Sequence, residues 1–275
     1  MSARTDLAIE LKKEGEKSSN FEEKIGNTSL IFTELKENNE FLKPKGKYAT
    51  LKVGKIDLLP DFCDIEKGLN KALSLLLDFE WKNLLVVGLG NMEITCDNIG
   101  PVTAQKILAT RHIAGENAEK IGLKNLKSIA VISPSVMGKT GIEASEIVSS
   151  VVKKIKPDAV IVIDALCSRN TENLFSVIQL CDSGIAPGSG VKNSRKELSQ
   201  STLGVPTVAI GVPTVVEAGV LAGELSGQQI TAKTDLIVTP KEADLLSHRM
   251  SEALSSALNV FLQPNIEREV ILGLV

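Results

Sequence analysis

The chain has 275 residues, a net charge of -3 and 43% hydrophobic residues, among which Val, Ile and Leu far outnumber the aromatic types. The mild acidity argues against a nucleic-acid-binding protein, because neutralising phosphates requires clustered Lys and Arg. No apolar run reaches the roughly 18 residues of a membrane-spanning helix, and the N-terminus lacks the apolar core of a secretory signal. We therefore expect a cytoplasmic protein with an aliphatic core and neither nucleic-acid nor membrane partners.

The N-terminal region, residues 1–46, is rich in Lys, Glu, Asn and Ser and contains only short apolar islands. This composition indicates an N-terminal arm, extending to about residue 63, with one or two edge strands. From Asp64 onwards leucines recur at helical spacing, which predicts a helix capped by Asp64 and ending before Asn83.

The rest of the chain alternates apolar runs with helical patterns. Strands are predicted at 84–91, 128–134, 159–164 and 205–214, and residues 236–240 form a further short apolar run that suits a strand or the approach to a helix. Helices are predicted at 101–112, at 140–155 with Thr140 and Glu143 in capping-box spacing, from residue 218, and at 241–262. This alternation favours a three-layer α/β fold, with a mostly parallel twisted sheet and helices on both faces.

Two aspartates follow strands that such a fold brings together. Open parallel sheets bind ligands at the carboxyl ends of strands where the strand order reverses, and in the common order 2-1-3-4-5 the first and third strands are neighbours there. Asp97 follows the first strand and Asp164 ends the third, so their carboxyl groups are expected to converge. Both residues also have structural interpretations, since Asp97 can cap the following helix and Asp164 can bond loop amides.

Three motifs invite other functions. The GLG after the first strand lacks the third glycine of a dinucleotide fingerprint, because Glu93 occupies that position. The segment SPSVMGKTG lacks the first glycine of a phosphate-binding loop, where Ser133 stands, so phosphate binding through Lys139 and Thr140 is a secondary hypothesis. The polar, glycine-rich segment 181–198 either shapes a substrate cleft or is a surface loop.

The cysteines are scattered, without a CxxC pair, and the chain has only 2 histidines. Disulfides and metal sites need clustered ligands, so no disulfide, metal or cofactor is expected. Two cysteines lie close to the aspartates, which leaves a thiol nucleophile open beside the simpler interpretation of small buried apolar residues. The four cysteines are Cys63, Cys96, Cys167 and Cys181.

Taken together, six segments strongly resemble the germination protease family of spore-forming bacteria, and they cover nearly the whole chain. In chain order they read RTDLAIE, VVGLGNMEITCDNIGPVTAQKILATRH, VMGKTGIEASEIV, VIVIDALCSRNTENL, CDSGIAPGSGVKNSRKELSQSTLGVPTVAIGVPTVVEA and ALNVFLQPNI.

The resemblance implies an endopeptidase that degrades small acid-soluble spore proteins during germination, in the spore core, as a homotetramer made from a self-processing zymogen. It also implies an atypical aspartic peptidase without a metal, with a fold similar to that of hydrogenase-maturation endopeptidases. Its two essential aspartates correspond to Asp97 and Asp164. Two neighbouring carboxyl groups share one proton, so one can activate water while the other hydrogen-bonds the scissile carbonyl.

The substrates implied by the resemblance are cut in a pattern similar to Thr-Glu-Phe-Ala-Ser-Glu, between the acid and the large apolar residue. Thr5–Glu10 has the same order of residue types, which predicts self-processing between Asp6 and Leu7, with residues 1–6 removed and 7–275 forming a single peptidase domain. Acidic substrates also call for cations near the cleft. The candidates are Arg111, Lys139, Lys192, Arg195 and Lys196.

Two alternatives remain open at this point. One is a phosphate- or nucleotide-binding enzyme that uses the GKT loop, and the other is a non-catalytic regulatory protein on a peptidase-like scaffold.

Overall fold

A single mixed sheet forms the centre of the fold. The computed structural model describes residues 18–36, 44–115, 118, 125–186, 196–228 and 236–274, and nine strands of the sheet lie within these ranges. The strands are β1 (Ser18–Ile25), β2 (Thr28–Leu35), β3 (Gly46–Lys52), β4 (Asn83–Gly88), β5 (Ser128–Ile132), β6 (Ala159–Ser168), β7 (Val177–Cys181), β8 (Thr207–Glu217) and β9 (Ile237–Val238).

The strand order is β1-β2-β3-β7-β8-β6-β4-β5, and β9 pairs with β8. Within it, β5, β4, β6 and β8 are parallel, and β4 lies beside β6 as the switch-point argument predicts. The prediction of a mostly parallel sheet is confirmed only for these four strands. The arm supplies three antiparallel strands, and β7 joins them to β8, so the sheet as a whole is mixed.

The helices cover the two faces of the sheet unequally. The described helices are α1 (Cys63–Leu76), α2 (Ile99–Gln105), α3 (Met137–Thr140), α4 (Ala144–Ile155), α5 (Gln200–Leu203), α6 (Ala218–Ser226), α7 (Ala243–Leu262) and α8 (Arg268–Leu272). On the first face α1, α2 and α7 pack over the strands, and the shared core contains Leu254 and Leu258, which are fully buried and each contribute roughly 1.5–3 kcal/mol. On the second face α4 packs against β4 and β6.

The long helix α7 also holds the loops at both ends of α2. The Ser247 hydroxyl donates to Asn98 Oδ1 at 2.5 Å, just before α2 begins. After α2 ends, the buried Asn259 side chain donates to the Lys106 carbonyl and accepts the Leu108 N–H, both at 2.8 Å. Because the two bonds to Asn259 satisfy backbone groups that a longer helix would bond internally, α2 is shorter than the predicted 101–112.

Two predicted helix caps differ from the observed ones. The capping box of α4 joins Glu143 to Glu146, because Thr140 ends the separate short helix α3. Asp64 lies inside α1, and its carboxylate accepts the Asn27 N–H at 2.9 Å, which ties α1 to the β1–β2 turn. In both cases the residue predicted to cap a helix makes a different contact, Thr140 within α3 and Asp64 with the β1–β2 turn.

No helix among the described residues has the length and apolarity needed to cross a bilayer.

All four cysteines are free thiols.

Candidate functional site

A cleft of about 570 Å³ lies where the helical cover of the second face stops. Its floor includes side chains of β6, β7 and β8, and its walls come from the segments that follow β4, β5 and β7. Among the described residues, α4 covers only the β4 and β6 side of this face. The cleft therefore occupies the part of the sheet that α4 leaves open.

Asp97 reaches the cleft from the 3₁₀ turn Thr95–Asp97, which follows β4. The Asn91 N–H donates both to the Asp97 carbonyl at 3.0 Å and to its carboxylate Oδ2 at 2.9 Å, closing the loop. The Thr214 hydroxyl on β8, fully buried, donates to the Cys96 carbonyl at 2.6 Å. The position of Asp97 is thus fixed from both its own loop and a neighbouring strand.

Close backbone packing brings this loop against the strand ends. A Cβ added at Gly100, in the first turn of α2, would lie 2.2 Å from the Leu89 carbonyl oxygen and 2.5 Å from the Ile163 carbonyl oxygen. Gly90 has φ +118°, and a Cβ there would lie 2.0 Å from the Asp97 carbonyl oxygen. The glycines of the GLG segment and of α2 therefore serve packing around Asp97, which explains the motif without a dinucleotide.

Asp164 lies on β6, immediately after the residues that pair with β4. The last pair joins Gly88 to Ile163, and the Leu89 N–H donates to the Ile163 carbonyl at 2.8 Å. Asp164 is only 5% exposed, and its Oδ1 accepts the Ala165 N–H at 2.9 Å. Asp97 and Asp164 both line the cleft, so the structure brings these two residues to one site, where the strand positions predict them.

The described lining of the cleft is acidic. Glu197 joins the two aspartates, and no Lys or Arg is found among the lining residues that the structure describes. Burial, and secondly the charge of Asp97, raise the pKa of the Cys96 thiol above its usual value. Because the thiolate is the nucleophilic form, this environment disfavours Cys96 as a nucleophile.

The three predicted cations that the structure describes are absent from the lining of the cleft. The Arg111 N–H donates to the Ile129 carbonyl near the start of β5, at the opposite end of that strand from the cleft, so Arg111 does not fit the predicted role. Lys139 forms an ion pair with the exposed Glu93, and Lys196 is exposed beside Glu197.

The remaining predicted site residues lie outside the described residues. They are Asp6, Leu7, Lys192 and Arg195.

The GKT segment does not form a phosphate cradle. The N–H groups of Lys139 and Thr140 donate to the Val136 carbonyl, and that of Gly141 donates to the Met137 carbonyl, so all three are used within the turn. The Thr140 hydroxyl bonds the Ile142 backbone. With Glu93 beside Lys139, the local charge also opposes a phosphate.

Sequence reasoning missed two buried polar residues that line the cleft, Gln179 on β7 and Thr214 on β8. Each is a polar residue inside an apolar run, VIQLC and VPTVV, and that interruption was the available signal. Among the described residues, no three His, Cys, Asp or Glu side chains form a group that could hold a metal ion.

Comparison with known proteins identifies related chains. The family model described as germination protease matches residues 10–226. A germination protease of Clostridium acetobutylicum is 36% identical over 318 residues, covering 97% of this chain and 97% of that protein. One from Priestia megaterium is 38% identical over 242 residues, covering 79% of this chain and 64% of that protein.

A solved structure, that of a NiFe hydrogenase maturation protease from Thermococcus kodakarensis, matches with a TM-score of 0.39 and 16% identity. The match covers 68% of this chain and 97% of that chain.

Proposed function

Since the chain belongs to the germination protease family, we propose that it is an endopeptidase that hydrolyses small acid-soluble spore proteins through an Asp97–Asp164 carboxyl pair. The single observation that carries the catalytic part is that both carboxyl groups line one cleft, one from the loop after β4 and one from the neighbouring strand β6. Each is oriented by a backbone N–H, from Asn91 and Ala165 respectively.

The proposed mechanism is general acid–base hydrolysis. Two carboxyl groups facing one cleft cannot both ionise at low cost, so the pair carries one proton at working pH and titrates as a unit. The ionised member takes a proton from water as the water oxygen attacks the scissile carbonyl carbon. The protonated member donates its hydrogen bond to the carbonyl oxygen, and the amine that leaves receives a proton from the pair.

The substrate proposal rests on the family and on the cleft's position. The cleft is open and crosses the sheet face, which suits an extended segment of a protein substrate. Because the described lining is acidic, an acidic substrate needs cations from the rim, for which Lys139, Lys196, Lys192 and Arg195 remain the candidates. Loss of acid preference in Arg195→Ala and Lys139→Ala variants is the expected result, and unchanged cleavage of an acid-flanked peptide would remove these two.

We also propose that the chain is made as a precursor that cuts itself between Asp6 and Leu7, and that the mature protein is a homotetramer in the spore core. The order of residue types in Thr5–Glu10 supports the cleavage position. N-terminal sequencing of matured protein is expected to begin at Leu7, and a different first residue would contradict that position.

The decisive experiment compares wild type, Asp97→Asn and Asp164→Asn on a purified small acid-soluble spore protein. Wild type is expected to cut it, and each variant to lose at least about 10³-fold in rate. Asp57→Asn, an exposed aspartate that does not line the cleft, is the matched control and should cut normally. Equal cleavage by all four proteins would refute the pair, whereas no cleavage by an already processed wild type would favour a regulatory protein.

A further inference from the structure

Two segments that follow neighbouring strands meet at the rim of the cleft. β4 and β5 are parallel partners, so the loop after β4 and the helix α3 after β5 leave the sheet at the same edge. Glu93 in the loop and Lys139 in α3 form an ion pair that joins them. Ile94, beside Glu93, and Val136, just before α3, line the cleft, so the ion pair lies at its edge.

Four large apolar side chains near this ion pair are exposed. Two of them flank Glu93 in sequence and two lie within three positions of Lys139, and each is between 37% and 48% exposed. These four residues, which we call the rim patch, are Met92, Ile94, Met137 and Ile142. Single apolar residues scattered over a surface are ordinary, but a group of them beside a cleft is typical of a binding surface.

Backbone hydrogen bonds hold both halves of the rim patch in place. In the loop, the Ile94 N–H donates to the Asn91 carbonyl at 3.1 Å. At the end of α3, the Gly141 N–H donates to the Met137 carbonyl at 2.8 Å. Each half is therefore a hydrogen-bonded turn, and a surface that is ordered in advance loses little conformational freedom when a partner binds.

The ion pair indicates which charge this surface binds. Lys139 contacts a carboxylate, and that carboxylate belongs to Glu93, which is itself exposed. Water competes for both charges of an exposed ion pair, so the pair contributes little stability and a carboxylate from a partner can replace Glu93. An acidic residue with apolar neighbours therefore fits both the cation and the rim patch.

The size of the cleft indicates that the substrate itself is the partner. A cleft of about 570 Å³ has the volume of a small-molecule site and holds only a few residues of an extended chain. Such a chain advances about 3.3 Å per residue, so the next residues of a protein substrate must leave the cleft over its rim. The rim patch continues the cleft through Ile94, which belongs to both.

We propose that the rim patch and Lys139 form a second binding surface for the polypeptide substrate, which holds an acidic residue with apolar neighbours just outside the cleft. Glu93 is the internal occupant of Lys139, and the substrate carboxylate replaces it. The identity of the partner rests on the proposed function, whereas binding at this surface is tested without cleavage.

Binding to a protein that lacks both aspartates tests the apolar part. The Asp97→Asn, Asp164→Asn protein is titrated with a fluorescently labelled small acid-soluble spore protein, and Kd is obtained from the anisotropy. Adding Met137→Ser and Ile142→Ser is expected to raise Kd at least about 5-fold. Leu58→Ser, at an exposed apolar residue outside the cleft lining, is the matched control and should keep the Kd. No binding before these changes, or an unchanged Kd after them, would overturn the proposal.

A second titration tests the exchange at Lys139. Glu93→Gln is expected to lower Kd about 3-fold, because the substrate carboxylate no longer competes with that of Glu93. Removing a negative charge near an acidic cleft can also favour an acidic partner, so Glu93→Gln is made in a Lys139→Gln protein as well, where it should give no gain. Glu80→Gln, at an exposed glutamate before β4, is the control and should leave Kd unchanged. An unchanged Kd for Glu93→Gln, or a gain that persists without Lys139, would overturn the exchange.

Two comparisons separate this inference from its rivals. A smaller assembly of the Met137→Ser, Ile142→Ser protein in sedimentation, with an unchanged Kd, would assign the rim patch to a contact between copies of this chain and overturn the proposal. If the wild type does not cleave the spore protein but Kd depends on the rim patch, the peptidase function fails and the binding surface stands. If the wild type cleaves it and Kd does not depend on the rim patch, only the binding surface fails.

Discussion

Replacing Gly100 by Ala is expected to damage both stability and activity, although alanine is the better helix former. Gly100 lies in the first turn of α2, where the added Cβ would meet two carbonyl oxygens at 2.2 and 2.5 Å. Both are backbone atoms, one directly after β4 and the other within β6, and they cannot rotate away. Since ordinary contact begins near 3.4 Å, α2 has to move by about 1 Å.

Two opposing effects act on the free energy of unfolding, and their sizes decide whether Gly100→Ala stabilises or destabilises the protein. Helix propensity favours Ala over Gly by at most about 1 kcal/mol. Overpacking of this kind costs about 1–3 kcal/mol, and more when the clashing atoms are backbone. We therefore expect a net loss of stability, seen as a fall in Tm of about 2–4 °C for each kcal/mol. Asp97, three positions before Gly100, moves with the helix, and a 1 Å misplacement can cost about 100-fold in rate.

The assay pairs thermal unfolding with cleavage of a small acid-soluble spore protein. Gly138→Ala is the matched control, because that glycine lies in the short helix α3 with open space where its Cβ would go. It should unfold and cleave like wild type or be slightly more stable. A Gly100→Ala protein with an unchanged or higher Tm would refute the packing argument. A lower Tm with full activity would refute only the link between α2 and the position of Asp97.

Three further outcomes follow from the site. Iodoacetamide should alkylate Cys96 slowly at pH 8, and Asp97→Asn should speed this reaction, because losing the negative charge lowers the raised pKa of the Cys96 thiol. The alkylation rate is measured by mass spectrometry with Cys63 as the internal reference, and equal rates in the two proteins would contradict the prediction. Thr214→Val should cost about 1–3 kcal/mol in a denaturant titration by leaving the Cys96 carbonyl without its donor, and an unchanged free energy of unfolding would contradict this. Saturating ATP with magnesium should leave Tm unchanged, and a rise of several degrees would restore the phosphate-binding hypothesis.

The parallel half of the sheet could be predicted because its strands are continuous apolar runs separated by helical patterns. Strands that are buried on both faces must be apolar throughout, so each of them can be recognised from a short stretch of sequence. The neighbour relation of β4 and β6 then follows from chain topology, and with it the meeting of Asp97 and Asp164 at one cleft.

The antiparallel half could not be predicted in the same way. β7 is a five-residue strand, and its partners β3 and β8 lie far from it in sequence. What stabilises it is pairing with these distant strands, which no local pattern records. The same holds for Gln179, because its place in the lining of the cleft depends on the pairing of β7 with these two strands.

Charge complementarity was the weakest guide to the site. It identified Arg111 as a substrate-binding cation, yet Arg111 lies toward the other end of β5. Charge complementarity predicts the sign of a substrate-binding group but does not predict its position in the fold. The position of Asp164, in contrast, is specified by the buried strand that carries it.

The contacts of α7 indicate that the loops near Asp97 become fixed only late in the synthesis of the chain. Asp97 and Asp164 leave the ribosome well before Ser247, Asn259 and Gln263, whose side chains hold the loops around α2 and before β5. Until α7 has been synthesised and has docked, the apolar first face of the sheet stays open and Asn98 lacks its Ser247 partner. A growing polypeptide that already contains both aspartates therefore lacks the contacts that hold the loops around α2, and under the proposed function we expect proteolytic activity only after the last long helix has docked.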